Sequence, residues 1–445
     1  MTGADEREAT LVGLALLIGI GAVFSAFLAL AVFLFVRLAR LSRGWSTARA
    51  MTAASEPRSA GSRQSLEALE RADPGFSVVS FEDFVYSLYT ELEVARGRGQ
   101  LARFSPWLGP SALQALEATG MVPVSDVVVG ALGYTAVSLT DGTVRVVLSI
   151  EANYTEAPPG GRPRSYWSRE LWELTRAVSA RSRPPERVRA FDCPNCGAPA
   201  DQLVGATCRY CQQTVNTGAF DWVVTSIGLV AREERPPSLT GTAEETGTAL
   251  PTLLDPRLGA MSAALRERDP SFDDRAFLAR VELVFRTMQV AWSSLDWPLV
   301  RPFLSDNLWR AQTYWIEAYR RSGLRNITEN ATISRIELVR VTSDHFYDAI
   351  TVRIYASSLD YTVRDADRAI VGGSRSAPRA YTEYWTFIRG TGAKGPARTE
   401  PVCPSCGAAL ALDAAGECGY CRATLTRGEF DWVLSRIEQD EVYQG

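Results

Sequence analysis

The sequence predicts an α+β protein with one transmembrane helix near its N-terminus, followed by two copies of a domain in which helices pack on an antiparallel sheet. Three observations predict this. Residues 11–36 contain no charged side chain, eight cysteines form two equally spaced quartets, and two long segments each change from a helical to a strand-like hydrophobic period. Helices followed by antiparallel strands are typical of α+β domains. The 445 residues suffice for two or three domains.

The uncharged run at 11–36 follows a short acidic tail at residues 1–10. As a helix, its 26 residues would extend about 39 Å at ~1.5 Å per residue, more than the ~30 Å of a bilayer core. The alternative, a cleaved signal peptide, usually has an apolar region of only about 7–15 residues. Four arginines follow the span before the first acid at Glu56, so the positive-inside rule places the N-terminus outside and the body in the cytoplasm. They are Arg37, Arg40, Arg43 and Arg49.

Residues 37–72 are predicted to be a tether, ending in a short helix near residues 65–71. The tether is rich in Ser, Ala, Arg and Glu. Its basic start either rests on anionic lipid or is a solvated linker that only fixes the topology.

Two cysteine quartets are the most specific signal in the chain. Each contains two Cys-x-x-Cys pairs separated by eleven residues, a spacing that suits a tetrahedral Zn²⁺ site. Two disulfides per quartet, or a redox-active pair, are the alternatives. The predicted cytoplasmic location keeps thiols reduced and favours two structural zinc ions. The predicted ligands are Cys193, Cys196, Cys208, Cys211, Cys403, Cys406, Cys418 and Cys421.

An internal duplication is predicted by a constant offset. Cys403 follows Cys193 by 210 residues, and Trp432 follows Trp222 by the same number. We therefore expect a zinc ribbon and a following helix twice, with a linker between the two halves. The predicted bounds are 187–231 and 398–440 for the ribbons and their helices, and 232–265 for the linker.

Each ribbon is preceded by a predicted α+β domain, at 73–186 and 266–391. In the first, helices are expected near 77–96 and 100–118, and strands near 124–139, 143–154 and 165–177. In the second, helices are expected at 273–293, 297–304 and 306–321, and strands at 327–342, 350–356 and 381–387. Residues 360–378 are expected to be a long loop between the last two strands.

The second domain resembles the TIM subunit 44-like family. The resemblance rests on the Asp269-Pro-Ser-Phe start, the segment 300–305, the Asp360-Tyr-Thr-Val stretch and the closing strand at 382–387. It implies a cone-like fold related to the nuclear-transport-factor-2-like superfamily, and a membrane-associated adaptor that holds protein or lipid. With Cys₄ ribbons, the chain resembles the bacterial branch, which implies a single-pass protein of the bacterial inner membrane. The first domain resembles the family less and is interpreted as a degenerate copy.

The leading hypothesis for function is a non-enzymatic adaptor with a protein partner, and with lipid as an open alternative. The second hypothesis is an enzyme that uses the cone cavity, with Glu383 as a raised-pKa base. Because no second catalytic group can be placed, no catalytic residue is predicted. Nucleic-acid binding is not expected, since the formal net charge is −4 and neither ribbon contains a Lys/Arg cluster.

Overall fold

The computed structural model describes residues 66, 68–240, 247–440, 443 and 445. Among those residues, no helix has both the length and the apolar composition needed to cross a membrane. The predicted tail, the predicted span at 11–36 and the predicted tether as far as residue 65 lie outside the described residues.

The first unit begins before its first long helix: residues 68–72 are helical, as predicted near 65–71, and Leu69 is buried in the core of the unit. In helix α1 (Val78–Gly97), the Ser77 hydroxyl accepts a hydrogen bond from a backbone N–H of the first turn at 3.2 Å. The second helix predicted at 100–118 is instead divided into a 3₁₀ helix at Leu101–Trp107 and helix α2 at Pro110–Ala118. The proline that opens α2 lacks an N–H, so it suits a first helical turn and not a helix interior. Three long strands follow close to their predicted positions: β1 (Val124–Thr140), β2 (Thr143–Glu156) and β3 (Arg164–Ala177).

The fourth strand of the first sheet lies beyond the first cysteine quartet. Within the quartet, β4 (Leu203–Val204) and β5 (Thr207–Cys208) form a small hairpin. After it, β6 (Val223–Glu234) pairs antiparallel with β3 and gives the order β1-β2-β3-β6. The helix predicted after the first ribbon is therefore wrong. A strand here satisfies the backbone groups along the edge of β3, and its first two valines enter the core.

Residues 232–265, predicted as a linker, are bound to the second unit over much of their described length. The segment starts inside β6 and ends inside helix α3 (Leu258–Arg268). Leu239 is buried in the core of the second unit, and the Asp255 N–H donates to the Val339 carbonyl at 2.9 Å. The connection between the units is therefore shorter than the predicted linker, because its ends belong to β6 and α3. Its Pro, Thr and Gly content indicated an irregular backbone and could not show that the segment packs on the second unit.

The three helices predicted for the second unit lie within one residue of their predicted positions, whereas α3 was not predicted. Helix α4 (Asp274–Ser294) begins where Asp273 Oδ1 accepts the Ala276 N–H at 2.7 Å, and it ends at Leu295, which has a left-handed φ of 56°. The next two are a 3₁₀ helix at Trp297–Phe303 and helix α5 at Asp306–Arg321.

The second sheet repeats the plan of the first. Its strands are β7 (Leu324–Ser343), β8 (Tyr347–Arg364), β9 (Ile370–Gly373), β10 (Arg379–Gly390) and β11 (Val433–Gln439). Their order is β11-β10-β8-β7, with β9 paired to β8. The loop predicted at 360–378 therefore contains the end of β8 and a short added strand. The helix predicted after the second ribbon is also wrong, because β11 pairs with the edge of β10.

A buried ion pair joins the start, the sheet and the end of each unit. In the first unit, Arg176 lies 2.8 Å from Asp73, and its guanidinium lies 4.8 Å from the ring centre of Trp222. The same contacts, at 2.8 and 4.6 Å, recur in the second unit between Arg389, Asp269 and Trp432. Each unit therefore extends through its ribbon to the tryptophan that precedes its last strand.

The two units contact each other through charged side chains. Arg189 forms ion pairs with Asp83 of α1 and with Asp306, the first residue of α5. Arg436 of β11 forms a further ion pair with Glu82 of α1. These contacts join the helix of one unit to the helix and last strand of the other.

Candidate metal centres and a carbonyl-binding site

The structure brings each predicted cysteine quartet together. The four Sγ atoms of a quartet all lie within 4.8 Å of one another, and the closest recorded pairs are 3.8 to 4.0 Å apart. A tetrahedral ion with metal–sulfur bonds of ~2.3 Å, the length found for zinc, requires sulfurs about 3.8 Å apart. All eight cysteines lie in the described part of the chain, and all have free thiols. Each quartet can therefore hold one tetrahedrally coordinated metal ion.

Each Cys-x-x-Cys pair forms a tight turn that directs two sulfurs to one point. The N–H groups of Gly197 and Gly407 donate to the carbonyl of the first cysteine of their pair, both at 2.8 Å. Both glycines have left-handed φ angles, 73° and 74°, which explains the glycine at this place in the sequence. The second pair of each quartet makes the same turn with Gln212 and Arg422, whose φ angles are 59° and 63°.

One thiol in each quartet ionises more readily than an ordinary cysteine. Hydrogen bonding to the Asn195 side chain is the largest effect on the pKa of Cys211, which is lowered to about 6. The backbone N–H of Ala423 has the same role for Cys421, whose pKa is also lowered to about 6. Cysteine binds a metal as the thiolate, so these two shifts favour metal binding. The other direction is also present, because burial raises the pKa of Cys193 to about 12 and the pKa of Cys406 is raised to about 11.

Both quartets are inserted into a sheet. The first leaves the sheet after β3 and returns as β6, and the second leaves after β10 and returns as β11. The returning chain is anchored at once: Arg183 pairs with Asp221 at 2.7 Å, and Arg280 donates to the Trp432 carbonyl at 3.0 Å. A metal ion in either quartet would therefore hold together the chain that links two neighbouring strands.

Glu383, the predicted candidate for a general base, lies on the core face of β10. Its two oxygens accept hydrogen bonds from Trp385 Nε1 and Gln439 Nε2, both at 2.9 Å. Burial raises the pKa of Glu383, while these two hydrogen bonds act in the opposite direction. Glu170 occupies the same place in the first sheet, where Tyr89 and the tryptophan two residues on donate to it at 3.0 and 2.8 Å. In both units the carboxylate connects the sheet to neighbouring side chains.

A site that the sequence reasoning missed lies where α5 and β8 end in the second unit. The hydroxyls of Tyr319 and Thr362 both donate to the carbonyl oxygen of Leu239, at 3.3 and 3.1 Å. One sequence signal could have indicated it. Leu239 is the only large aliphatic or aromatic residue between Arg232 and Ala249, so its side chain is out of place in a solvated linker.

Each cysteine quartet also presents one exposed aromatic residue. Tyr210 and Tyr420 lie between the cysteines of the second pair, 210 positions apart, and their exposed fractions are 77% and 67%. Exposed tyrosines offer a large contact area with a hydrogen-bonding group at its end. Among the described residues of the two quartets they are the most exposed large hydrophobic side chains.

Residues 258–397 match the sequence model of the Tim44-like domain family. This confirms the resemblance predicted for the second unit, and it leaves the assignment of the first unit as a prediction. A comparison with curated proteins gives no match. Among solved structures, one described as an "Ntf2 like protein involved in plasmid conjugation" is similar at 5% sequence identity, covering 74% of this chain and 83% of that chain with a TM-score of 0.16. A TM-score that low carries no argument about the present chain.

Proposed function

We propose that this protein is a membrane-anchored, non-enzymatic adaptor whose second unit binds a protein partner on the cytoplasmic face of a bacterial inner membrane. The observation that carries the proposal is the Tim44-like domain at residues 258–397. The uncharged run at 11–36 and the arginines that follow it support the anchor and its orientation.

The roles of the buried charges support a binding function over catalysis. Glu383 and Glu170 each accept hydrogen bonds from side chains of their own unit, and Asp269 and Arg389 pair with each other. These groups are engaged in contacts that hold the fold together. A partner would therefore contact other residues of the second unit. Lipid is the alternative ligand.

We further infer that each cysteine quartet binds one structural Zn²⁺. The sulfur spacing and the absence of histidine from both quartets favour zinc in a closed Cys₄ site. In a site of this kind all four positions are filled by sulfur, so the ion stabilises the chain and has no free position for a substrate. Duplication of the whole unit, ribbon included, is the simplest account of the repeated spacing.

The contacts between the units bear on how a partner would be bound. Arg189 and Arg436 connect the two units directly. A partner would therefore meet one combined surface and not two sites that move independently on a flexible linker.

Crosslinking in intact membranes tests the adaptor proposal. The full-length protein would be crosslinked, solubilised mildly and compared with a chain that lacks residues 258–440, a deletion that removes β11 together with the sheet it completes. We expect protein partners that are recovered only with the full chain. Equal recovery from both chains, or recovery of lipid alone, would contradict the proposal.

A further inference from the structure

The segment between the units enters the core of the second unit. Leu239 is 8% exposed and belongs to the same buried cluster as α4, β8 and β10. It follows the sequence Arg235-Pro-Pro-Ser, which makes no regular secondary structure, and the chain bends at Leu239 and Thr240. The segment is therefore seated in the second unit as a short peptide would be.

The polar groups around Leu239 are arranged to bind a carbonyl. Asn326 Nδ2 lies 2.8 Å from Asp360 Oδ1 and 3.3 Å from Thr362 Oγ1 and donates towards both, while Asn326 Oδ1 accepts from Trp292 Nε1 at 2.8 Å. Because Thr362 Oγ1 accepts from Asn326, its own proton is directed to the Leu239 carbonyl. Burial raises the pKa of Tyr319 to about 12, so its hydroxyl is also a donor at neutral pH.

Strand β9 leaves room for the backbone of the same segment. A Cβ atom on Gly372 would lie 2.2 Å from the carbonyl oxygen of Thr240, a distance that no side chain could adopt without movement. Glycine at this position therefore allows the segment to lie directly against β9. The second unit thus buries the Leu239 side chain, donates hydrogen bonds to its carbonyl and leaves space beside Gly372 for the backbone of Thr240.

We propose that this site binds a short peptide with a buried leucine whose carbonyl accepts two hydrogen bonds, and that residues 235–240 occupy it as an internal competitor. The inference rests on the proposed adaptor function, because it identifies the class of partner and a way in which access is controlled. Two hydroxyl donors on one carbonyl favour a peptide over an acyl chain, which needs no donors along its length.

The first unit does not repeat the site. Helix α2 has 9 residues where α5 has 16, and β2 has 14 where β8 has 18. Tyr319 and Thr362 lie in the parts of α5 and β8 by which the second unit is longer. The site is therefore particular to the second unit, and the two units would differ in function.

The test measures binding of a labelled peptide with the sequence of residues 233–240 to the full-length protein in mild detergent. Wild type should bind the peptide weakly, because its own segment competes. Leu239→Asp should expel that segment and bind the peptide at least tenfold more tightly. In the Leu239→Asp chain, adding Thr362→Val should remove the gain, and a peptide carrying Leu239→Asp should not bind.

A second variant reports on the segment without changing Leu239. Gly372→Ala should displace the segment, giving faster amide exchange at Ser238 to Thr240 with little change at α4. A Leu239→Asp chain that keeps its thermal stability and binds no peptide would overturn the proposal, as would uptake of acyl chains from phospholipid vesicles in place of peptide. If crosslinked partners still depended on residues 258–440, the adaptor proposal would survive that result and only the peptide site would fall.

Discussion

Arg189, in the segment that leads into the first cysteine quartet, forms an ion pair with Asp306, the residue that opens helix α5 of the second unit. Burial alone would raise the pKa of Asp306, but Arg189 and Arg301 together hold it below its usual range. An acid in the first turn also interacts favourably with the helix dipole. One carboxylate therefore couples the two units to the start of a helix.

Removing Arg189 should weaken the contact between the units. Its side chain and that of Asp306 are 18% and 9% exposed, so Arg189→Ala would remove one of the two arginines that pair with a buried acid and leave only Arg301. We expect a loss of about 2–3 kcal/mol in the free energy of unfolding, measured with denaturant on the full chain. Arg364→Ala, at an ion pair whose side chains are both 51% exposed, is the control and should cost less than about 1 kcal/mol. Equal losses for the two variants would contradict the coupling.

Each cysteine quartet should bind one metal ion independently of the other. Cys208 and Cys418 are both fully buried and occupy equivalent positions. Either one replaced by serine should lower the metal content, measured by mass spectrometry, from two zinc ions per chain to one. Amide exchange should rise in β6 for Cys208→Ser and in β11 for Cys418→Ser, so each variant is the other's control. A metal content that stays at two ions would contradict the assignment of ligands.

Stability should fall as the pH rises through the pKa of Glu151. Burial is the largest effect on this group and raises its pKa to about 7, although Arg169 acts in the opposite direction. The unfolded value is about 4.3, so the folded chain holds the proton more tightly, and the stability that this provides is complete below about pH 4 and lost above about pH 7. Glu151→Gln stays neutral and should be about 1–3 kcal/mol more stable than wild type at pH 8, with little difference at pH 4.

Glu173→Gln is the matched control for that titration. A hydrogen bond from Arg145 is the main cause of the lowered pKa of Glu173, so this carboxyl stabilises the fold when it is ionised. Its replacement should lower stability above about pH 4.5, the opposite sign. Denaturant unfolding at several pH values measures both variants, and an unchanged pH profile for Glu151→Gln would contradict the first prediction.

Deleting residues 1–36 should release the chain from membranes. The prediction rests on the uncharged run at 11–36, whose length matches a bilayer span. The full chain should stay in the membrane pellet after an alkaline wash, and so should a control chain that lacks residues 44–64. If the chain without residues 1–36 also stayed in the pellet, the folded body itself would bind the membrane.

Sequence patterns correctly predicted the helices and strands whose formation depends on residues close together in the chain. Ile350 and Val352 alternate with polar residues and lie in β8, and α4 begins within one residue of its predicted start. The cysteine quartets were predictable for the same reason. Their two-residue spacings fix a turn whatever the rest of the chain does.

Two of the errors concern contacts between distant parts of the chain. Val223–Glu234 is a strand because the edge of β3 needs a partner, and about fifty residues separate the paired positions Leu174 and Val224. Leu239 is buried because a site formed by α5 and β8 accepts it. A hydrophobic period records neighbours in sequence, so it could indicate neither the partner edge nor the receiving site. The helix predicted at 100–118 is a different error, because its cause is local: an internal proline and a following Gly-Pro divide it.

The insertion of a cysteine quartet before the last strand sets an order of events during translation. The ribosome releases Asp73 and Arg176 first, then both Cys-x-x-Cys pairs, and only afterwards Trp222 and β6. The nascent chain can therefore capture its metal while the sheet still lacks a strand, and the closing strand is then delivered from a loop already shortened by the ion. With zinc bound as proposed, a shortage of zinc would affect the nascent chain before its last strand joins the sheet, and not only the stability of the finished protein.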